Sequence, residues 1–180
     1  MIVGLTGLHG AGKSYTGKLL EEVFGWKYFE KRVYLQTLFK NDQKVKPSLK
    51  WIEWHRELYL KDGSFKIMKE ILGKNFPIKK VLIVDSVHNA EEWRAVKDTD
   101  SRAILVGVFS PSPVRAMRRD QEEGVLDKKR IIHWHESNDD NIVCLLSEVE
   151  WAFSGILPRE LLTNQFNFLR HHLVETKRIT

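Results

Sequence analysis

Eight residues, Gly7-Leu8-His9-Gly10-Ala11-Gly12-Lys13-Ser14, constrain this chain more than any other stretch. They fit the pattern G-x-x-x-x-G-K-[ST]. They follow an apolar run at 2–6 that reads as a buried strand, and they open a helix predicted over 13–24, with Tyr15, Leu19, Leu20 and Val23 at helical spacing. In that context the glycines let the backbone wind into a nest of inward N–H groups. The free N–H groups and positive end of the following helix add to the same anion site. Lys13 is expected to reach the β- and γ-phosphates of a nucleotide, and the Ser14 hydroxyl to ligate Mg²⁺. The predicted nucleotide-binding set is therefore Gly7, Leu8, His9, Gly10, Ala11, Gly12, Lys13, Ser14 and Tyr15. His9 occupies a permissive position and is read either as loop filler or as a phosphate contact.

Such a loop needs a carboxylate behind the metal. Asp85 ends the apolar run Val81-Leu82-Ile83-Val84 and is the candidate, paired with Ser14 as the metal site. Its plain alternative is a strand-end cap. Arg115, Arg118 and Arg119 follow another apolar run, Ala103–Phe109. Guanidinium groups can clamp the charge that spreads in phosphoryl transfer. Lys13, Asp85 and these three arginines form the predicted catalytic set. A solvated basic helix face is the alternative for the arginines.

Short apolar runs alternate with helical patterns, which predicts an α/β layer fold on a parallel sheet. Further strands are expected at Trp26–Phe29 and Glu150–Phe153. Helices are expected over 31–40 with Val33 and Leu38 inward, from Pro47 with Trp51, Ile52, His55, Leu58 and Tyr59 on one face, and from Ser64 to Leu72. Gly63 breaks the last two. Asn89 or Ser86 can cap a helix through Lys97, and Ser112-Pro113 opens one that Gly124 ends. Asp127 and Asp139 or Asp140 are caps for two more. A C-terminal helix from Pro158 carries Leu161, Leu162, Gln165, Leu169 and Leu173 on one stripe. The segment 31–73 reads as a helical insertion between the second and third strands.

The 180 residues carry a net charge of +5, and it is unevenly placed. Residues 1–80 hold 16 Lys and Arg against 8 Asp and Glu. Residues 27–80 alone hold 14 against 6. The reading is either solvated lysines or an anionic ligand on that side. The single cysteine, Cys144, excludes an intramolecular disulfide framework and any multi-cysteine metal site. His133 with His135, and His171 with His172, have the wrong spacing for a helical metal pair. Trp51 and Trp54 read as core, or as platforms for a base. No run approaches a membrane span, and the N-terminus lacks signal-peptide features. The expectation is one soluble, cytoplasmic domain over 1–180.

The start Met1-Ile2-Val3-Gly4-Leu5-Thr6-Gly7, leading into Gly12-Lys13-Ser14, resembles that of dephospho-CoA kinases and related archaeal adenylate-kinase-like proteins. Val81–Asp85 with Ser86-Val87-His88-Asn89 resembles the segment where the archaeal group carries D-G-I-R. Ala103–Phe109 with Ser110-Pro111-Ser112 and the arginines resembles its fourth strand and lid. The resemblance implies a three-layer P-loop kinase fold with a five-stranded parallel sheet, an acceptor-binding helical insertion (31–73) and a short lid (111–138). Where dephospho-CoA kinases carry D-A-D, this chain has Phe29-Glu30-Lys31-Arg32. The glycine and arginine of D-G-I-R become Ser86 and His88. The acceptor-binding candidates are therefore Glu30, Lys31, Arg32 and His88. The basic excess then falls on the acceptor side, so a phosphorylated acceptor is expected.

Together these features predict an ATP- and Mg²⁺-dependent kinase acting on a nucleotide-like acceptor. Two alternatives stay open. One is a nucleotide-binding regulatory protein without turnover. The other is a nucleic-acid-linked ATPase or polynucleotide kinase.

Overall fold

The computed structural model describes residues 1–43, 50–75, 80–123 and 141–179. Five parallel strands form one sheet in the order β2-β3-β1-β4-β5. They are β1 (Ile2–Thr6), β2 (Lys27–Phe29), β3 (Leu82–Val84), β4 (Ile104–Phe109) and β5 (Trp151–Ser154). The helices are α1 (Lys13–Phe24), α2 (Lys31–Gln43), α3 (Trp51–Asn75), α4 (Ala90–Thr99), α5 (Ser112–Glu123) and α6 (Arg159–Glu175). The expected α/β class, five-stranded parallel sheet and helices between β2 and β3 are all present.

Alternation along the strands builds the two faces. Val3 and Leu5 of β1 pack with Ile83, Ile104 and Val106 against α1 and α6. Ile2 packs on the other face with Leu82, Val84 and Leu105, against Met68 and Leu72 of α3 and Trp93 and Val96 of α4. Strands buried on both faces need apolar residues at every position, which is why each reads as a continuous apolar run. A third, smaller core holds α2 against α3 through Leu35, Trp54, Ile67 and Ile71. Gly63 interrupts α3 with φ 74 and ψ 152, so the expected break is real.

Three inward assignments are corrected. Val33 is 52% exposed, and Leu35 takes the buried place on α2. Leu161 is 51% exposed, while Leu162, Phe166, Leu169 and Leu173 form the buried stripe of α6. Tyr15 is 53% exposed, and Thr16 is buried beside Leu19 and Leu20. In each case a single apolar or aromatic member of the pattern lies one or two positions off the face that packing covers, while Leu19, Leu20, Leu162, Leu169 and Leu173 are buried as expected. The starts of helices expected at Pro47, Asp127, Asp139 and Asp140, the stop at Gly124 and the later part of the 111–138 lid lie outside the described residues.

Candidate functional site

The parallel sheet places the C-terminal ends of all five strands at one edge, and the chain leaves β1 there near the middle. In open α/β sheets that is where ligands bind. The loop Gly7–Ser14 follows β1. Gly7 (φ 139) lies so close to β4 that a Cβ would sit 2.2 Å from the Val108 carbonyl oxygen, so only glycine fits. Gly12, also at positive φ, begins α1 with no side-chain cap and no acid in the first turn. The helix N–H groups there are left for an anion. The Lys13 ammonium lies over the loop, donating to the carbonyls of Gly7 (2.7 Å) and Leu8 (3.2 Å).

Because β3 neighbours β1, the end of β3 brings Asp85 to the start of α1. Ser14 Oγ donates to Asp85 Oδ2 at 2.7 Å. The Tyr28 phenol donates to the same oxygen at 2.8 Å, and Ser86 Oγ donates to Oδ1 at 2.9 Å. Asp85 is only 2% exposed. Burial and the Asp85 charge hold the Tyr28 phenol well above its ordinary range, so it stays a donor. The structure thus brings Ser14 and Asp85, the two metal candidates of the sequence, into direct contact. Their hard oxygens suit Mg²⁺, which keeps few protein ligands and several waters.

Arg118 braces the loop from the opposite side. Its guanidinium donates to the carbonyls of Gly10 (3.2 Å) and Gly155 (2.8 Å) and to Ser110 Oγ (3.3 Å). Ser110 in turn donates to the Ala11 carbonyl at 2.9 Å. The Arg115 backbone lies against Gly10, where an added Cβ would sit 2.7 Å from the Arg115 oxygen. The Arg119 side chain lies outside what is described. Beyond this brace, at the ends of β4 and β5, a cavity of about 370 Å³ is lined by Phe109, Pro111 and Ile156 among others.

The four acceptor candidates are placed differently. Lys31 is 4% exposed, and its ammonium grips both carboxylate oxygens of Glu92 at 2.7 and 2.8 Å. Glu92 also accepts the Tyr59 hydroxyl (3.1 Å) and the His88 backbone N–H (2.8 Å). Its own N–H is capped by Asn89 Oδ1. His88 is held well below the ordinary histidine range, first by burial and then by the charges of Lys31 and Lys13. His55 stacks on Tyr59 at 4.5 Å and is pushed down to about 4 by burial and by Lys31. Glu30 pairs with Lys18 at 3.6 Å, and its carbonyl caps the start of α2. Arg32 is exposed on α2. Trp54 is 5% exposed and donates Nε1–H to Asp42, so it is core.

Sequence reading missed Tyr28, Tyr59, His55 and Glu92. The Asn89–Glu92 spacing is a helix-start signature and marks Glu92 as a capping residue. Nothing in sequence pairs it with Lys31. The lysines Lys66, Lys69 and Lys74 that swell the basic segment are engaged with Asp62, Asp98 and Glu70 on the outer surface. Among the described residues, no helix is long and apolar enough to cross a membrane.

No protein-family model matches the sequence, and no curated protein matches it either. Solved structures do. A gluconokinase from Sinorhizobium meliloti 1021 aligns with 97% of this chain and 95% of its own, at TM-score 0.63 and 14% identity. A shikimate kinase from Bacteroides thetaiotaomicron aligns with 96% of this chain and 98% of its own, at TM-score 0.63 and 14% identity. A shikimate kinase from Aquifex aeolicus vf5 has 19% identity and TM-score 0.57, covering 93% and 95%. Likeness at these identities is likeness of fold, and it extends over nearly the whole length of each chain. With its phosphate loop after the first of five parallel strands, the chain has the P-loop kinase fold.

Proposed function

We propose that this protein is an ATP-dependent small-molecule kinase. The observation that carries the reading is the Ser14–Asp85 hydrogen bond at the mouth of the phosphate loop. It joins the two oxygen groups that a magnesium nucleotide requires, on a fold shared with a gluconokinase and shikimate kinases. The loop N–H groups and Lys13 would bind the phosphates, and the cavity beside Phe109 and Ile156 suits a flat, largely apolar base. Ser14, backed by Asp85, would hold Mg²⁺, which supplies neutralisation of the β- and γ-oxygens.

The acceptor belongs on the side where α2, α3 and the β3–α4 loop meet the phosphate loop. The acceptor oxygen bonds to the γ-phosphorus as the β–γ bridging bond breaks and ADP leaves. A phosphate acceptor is already ionised. A hydroxyl acceptor must give up its proton, and Asp85 and Glu30 are the carboxylates on offer. The basic 27–80 segment favours a nucleotide-like, phosphorylated acceptor, as in the dephospho-CoA and nucleoside monophosphate kinases the sequence resembles. A second class is favoured by the pairing of Lys31 with Glu92 and the low protonation of His55 and His88, which leave neutral polar and aromatic groups there. That surface suits a small polyhydroxylated acceptor. An ADP-release screen over nucleoside monophosphates, dephospho-CoA, sugar acids and shikimate separates the two. Lys13→Ala should weaken nucleotide binding by about tenfold or more. Tight ATP binding with no acceptor-dependent ADP would favour a regulatory protein, and ADP release stimulated only by single-stranded nucleic acid would favour the nucleic-acid-linked alternative.

A further inference from the structure

We propose that Tyr28 is a positioning residue for the divalent metal at the phosphate loop, its phenol fixing the Asp85 carboxylate against Ser14. The inference rests on the reading above only in taking the loop as a magnesium–nucleotide site.

A carboxylate oxygen has two lone-pair directions. On Asp85 Oδ2 both are used, by Ser14 at 2.7 Å and by Tyr28 at 2.8 Å. Oδ1 holds Ser86 at 2.9 Å. The group is almost fully buried, so rotating it would break hydrogen bonds that water cannot replace. Oδ2 is thereby committed to receiving the Ser14 proton. That leaves the Ser14 oxygen free to offer its lone pairs to a cation. Asp85 then supports the metal through Ser14, and Tyr28 supports Asp85. Groups that orient a metal ligand in this way tune metal affinity without touching the metal.

The chain makes a specific concession to put the phenol there. Gly17 lies inside α1, where glycine weakens a helix relative to alanine. A Cβ on Gly17 would sit 2.3 Å from Tyr28 Cε2 and 2.6 Å from Cδ2. The ring of Tyr28 therefore lies directly on the α1 backbone, between that helix and its hydroxyl's partner Asp85 at the end of β3. Packing alone would be served equally well by phenylalanine. The hydroxyl is what distinguishes the two roles.

The test is equilibrium binding of a fluorescent, non-hydrolysable ATP analogue to the full chain, in EDTA and across a Mg²⁺ titration, with thermal midpoints measured in parallel. For the unaltered protein, Mg²⁺ should tighten binding. Tyr28→Phe should keep the EDTA affinity and raise the Mg²⁺ concentration at half-effect about tenfold. Gly17→Ala should raise it similarly with Tyr28 intact, and should add little in the Tyr28→Phe background. Tyr28→Phe is the conservative variant and stands alone if Gly17→Ala does not fold. A Tyr28→Phe titration that overlays the unaltered one overturns the role of Tyr28 and leaves the kinase reading standing. If Mg²⁺ does not tighten binding to the unaltered protein, the kinase reading falls and the Tyr28 inference falls with it.

Discussion

Ser14 and Asp85, 71 residues apart in sequence, are joined by a 2.7 Å hydrogen bond. The register of the sheet makes the bond. Ile2, Val3 and Gly4 of β1 pair with Leu82, Ile83 and Val84 of β3, so β3 ends beside Gly4, two residues before β1 does, and Asp85 follows at the same edge of the sheet. The Asp85 carboxylate receives three hydroxyl donors and, being ionised, donates to none. Asp85→Asn replaces one acceptor oxygen with an NH₂ donor, and at least one hydroxyl must turn away. A stability loss of about 1–3 kcal/mol is expected in urea unfolding, from the unmatched buried groups. Magnesium-linked nucleotide binding should be lost with it. Unchanged stability together with unchanged magnesium response would contradict the network.

Ser86 adopts φ 64, the left-handed region that glycine enters freely. In the D-G-I-R segment that this stretch resembles, a glycine stands at that place, and glycine enters this region without strain. The strain is on the order of 1 kcal/mol, offset by the bond from Ser86 Oγ to Asp85. Ser86→Ala keeps the strain and loses the bond. Ser86→Gly loses the bond and the strain together. Urea denaturation should rank the alanine variant about 1 kcal/mol below the glycine variant.

Lys31 and Glu92 form a buried ion pair that ties α2 to α4. Removing one partner strands a charge, with a typical cost of about 3–5 kcal/mol. For a chain of this size each kcal/mol shifts the melting midpoint by about 2–4 °C. Lys31→Met should therefore lower the midpoint by on the order of 10 °C in a thermal melt, and adding Glu92→Leu should recover part of the loss. A Lys31→Met protein that melts as the parent does would show that the pair carries no structural weight.

His55 has its pKa pushed down to about 4 by burial and by Lys31, against an ordinary 6.5. His88 shifts the same way. Between those two values the unfolded chain binds more protons than the folded one, so stability rises with pH there. It is complete above about 6.5 and is lost as pH falls toward about 4, with a slope of at most about 1.4 kcal/mol per pH unit for each histidine. Urea midpoints taken from pH 7.5 down to 5 should fall, and His55→Gln should flatten the decline. A midpoint that rises on acidification would reverse the sign.

The local chemistry was legible in sequence where one short segment supplies it. The phosphate loop carries its own glycines, lysine and serine, so its shape needs little from the rest of the chain. Strands buried on both faces announce themselves as apolar runs, and the break at Gly63 is written in backbone freedom. Asp85 was legible as the end of such a run. Which residues gather around it was not. Tyr28 is a β2 residue with an ordinary aromatic signature, and its role depends on the shallow surface that Gly17 leaves on α1. Lys31 reads in sequence as a cation facing an anionic ligand, yet the docking of α2 and α4 on α3 brings it onto Glu92. Phases of helix faces were also beyond sequence. Val33 and Leu161 sit one or two positions from the stripe that α3 covers on α2 and the sheet covers on α6, and only the docking angle of each helix chooses the stripe. Sequence alone thus determined the phosphate loop, the layer class and the acid at the end of β3, because each is encoded within a few adjacent residues. Tertiary structure decided what surrounds them, because charge and hydroxyl partners 57 to 71 residues apart are brought together only by strand register and helix docking.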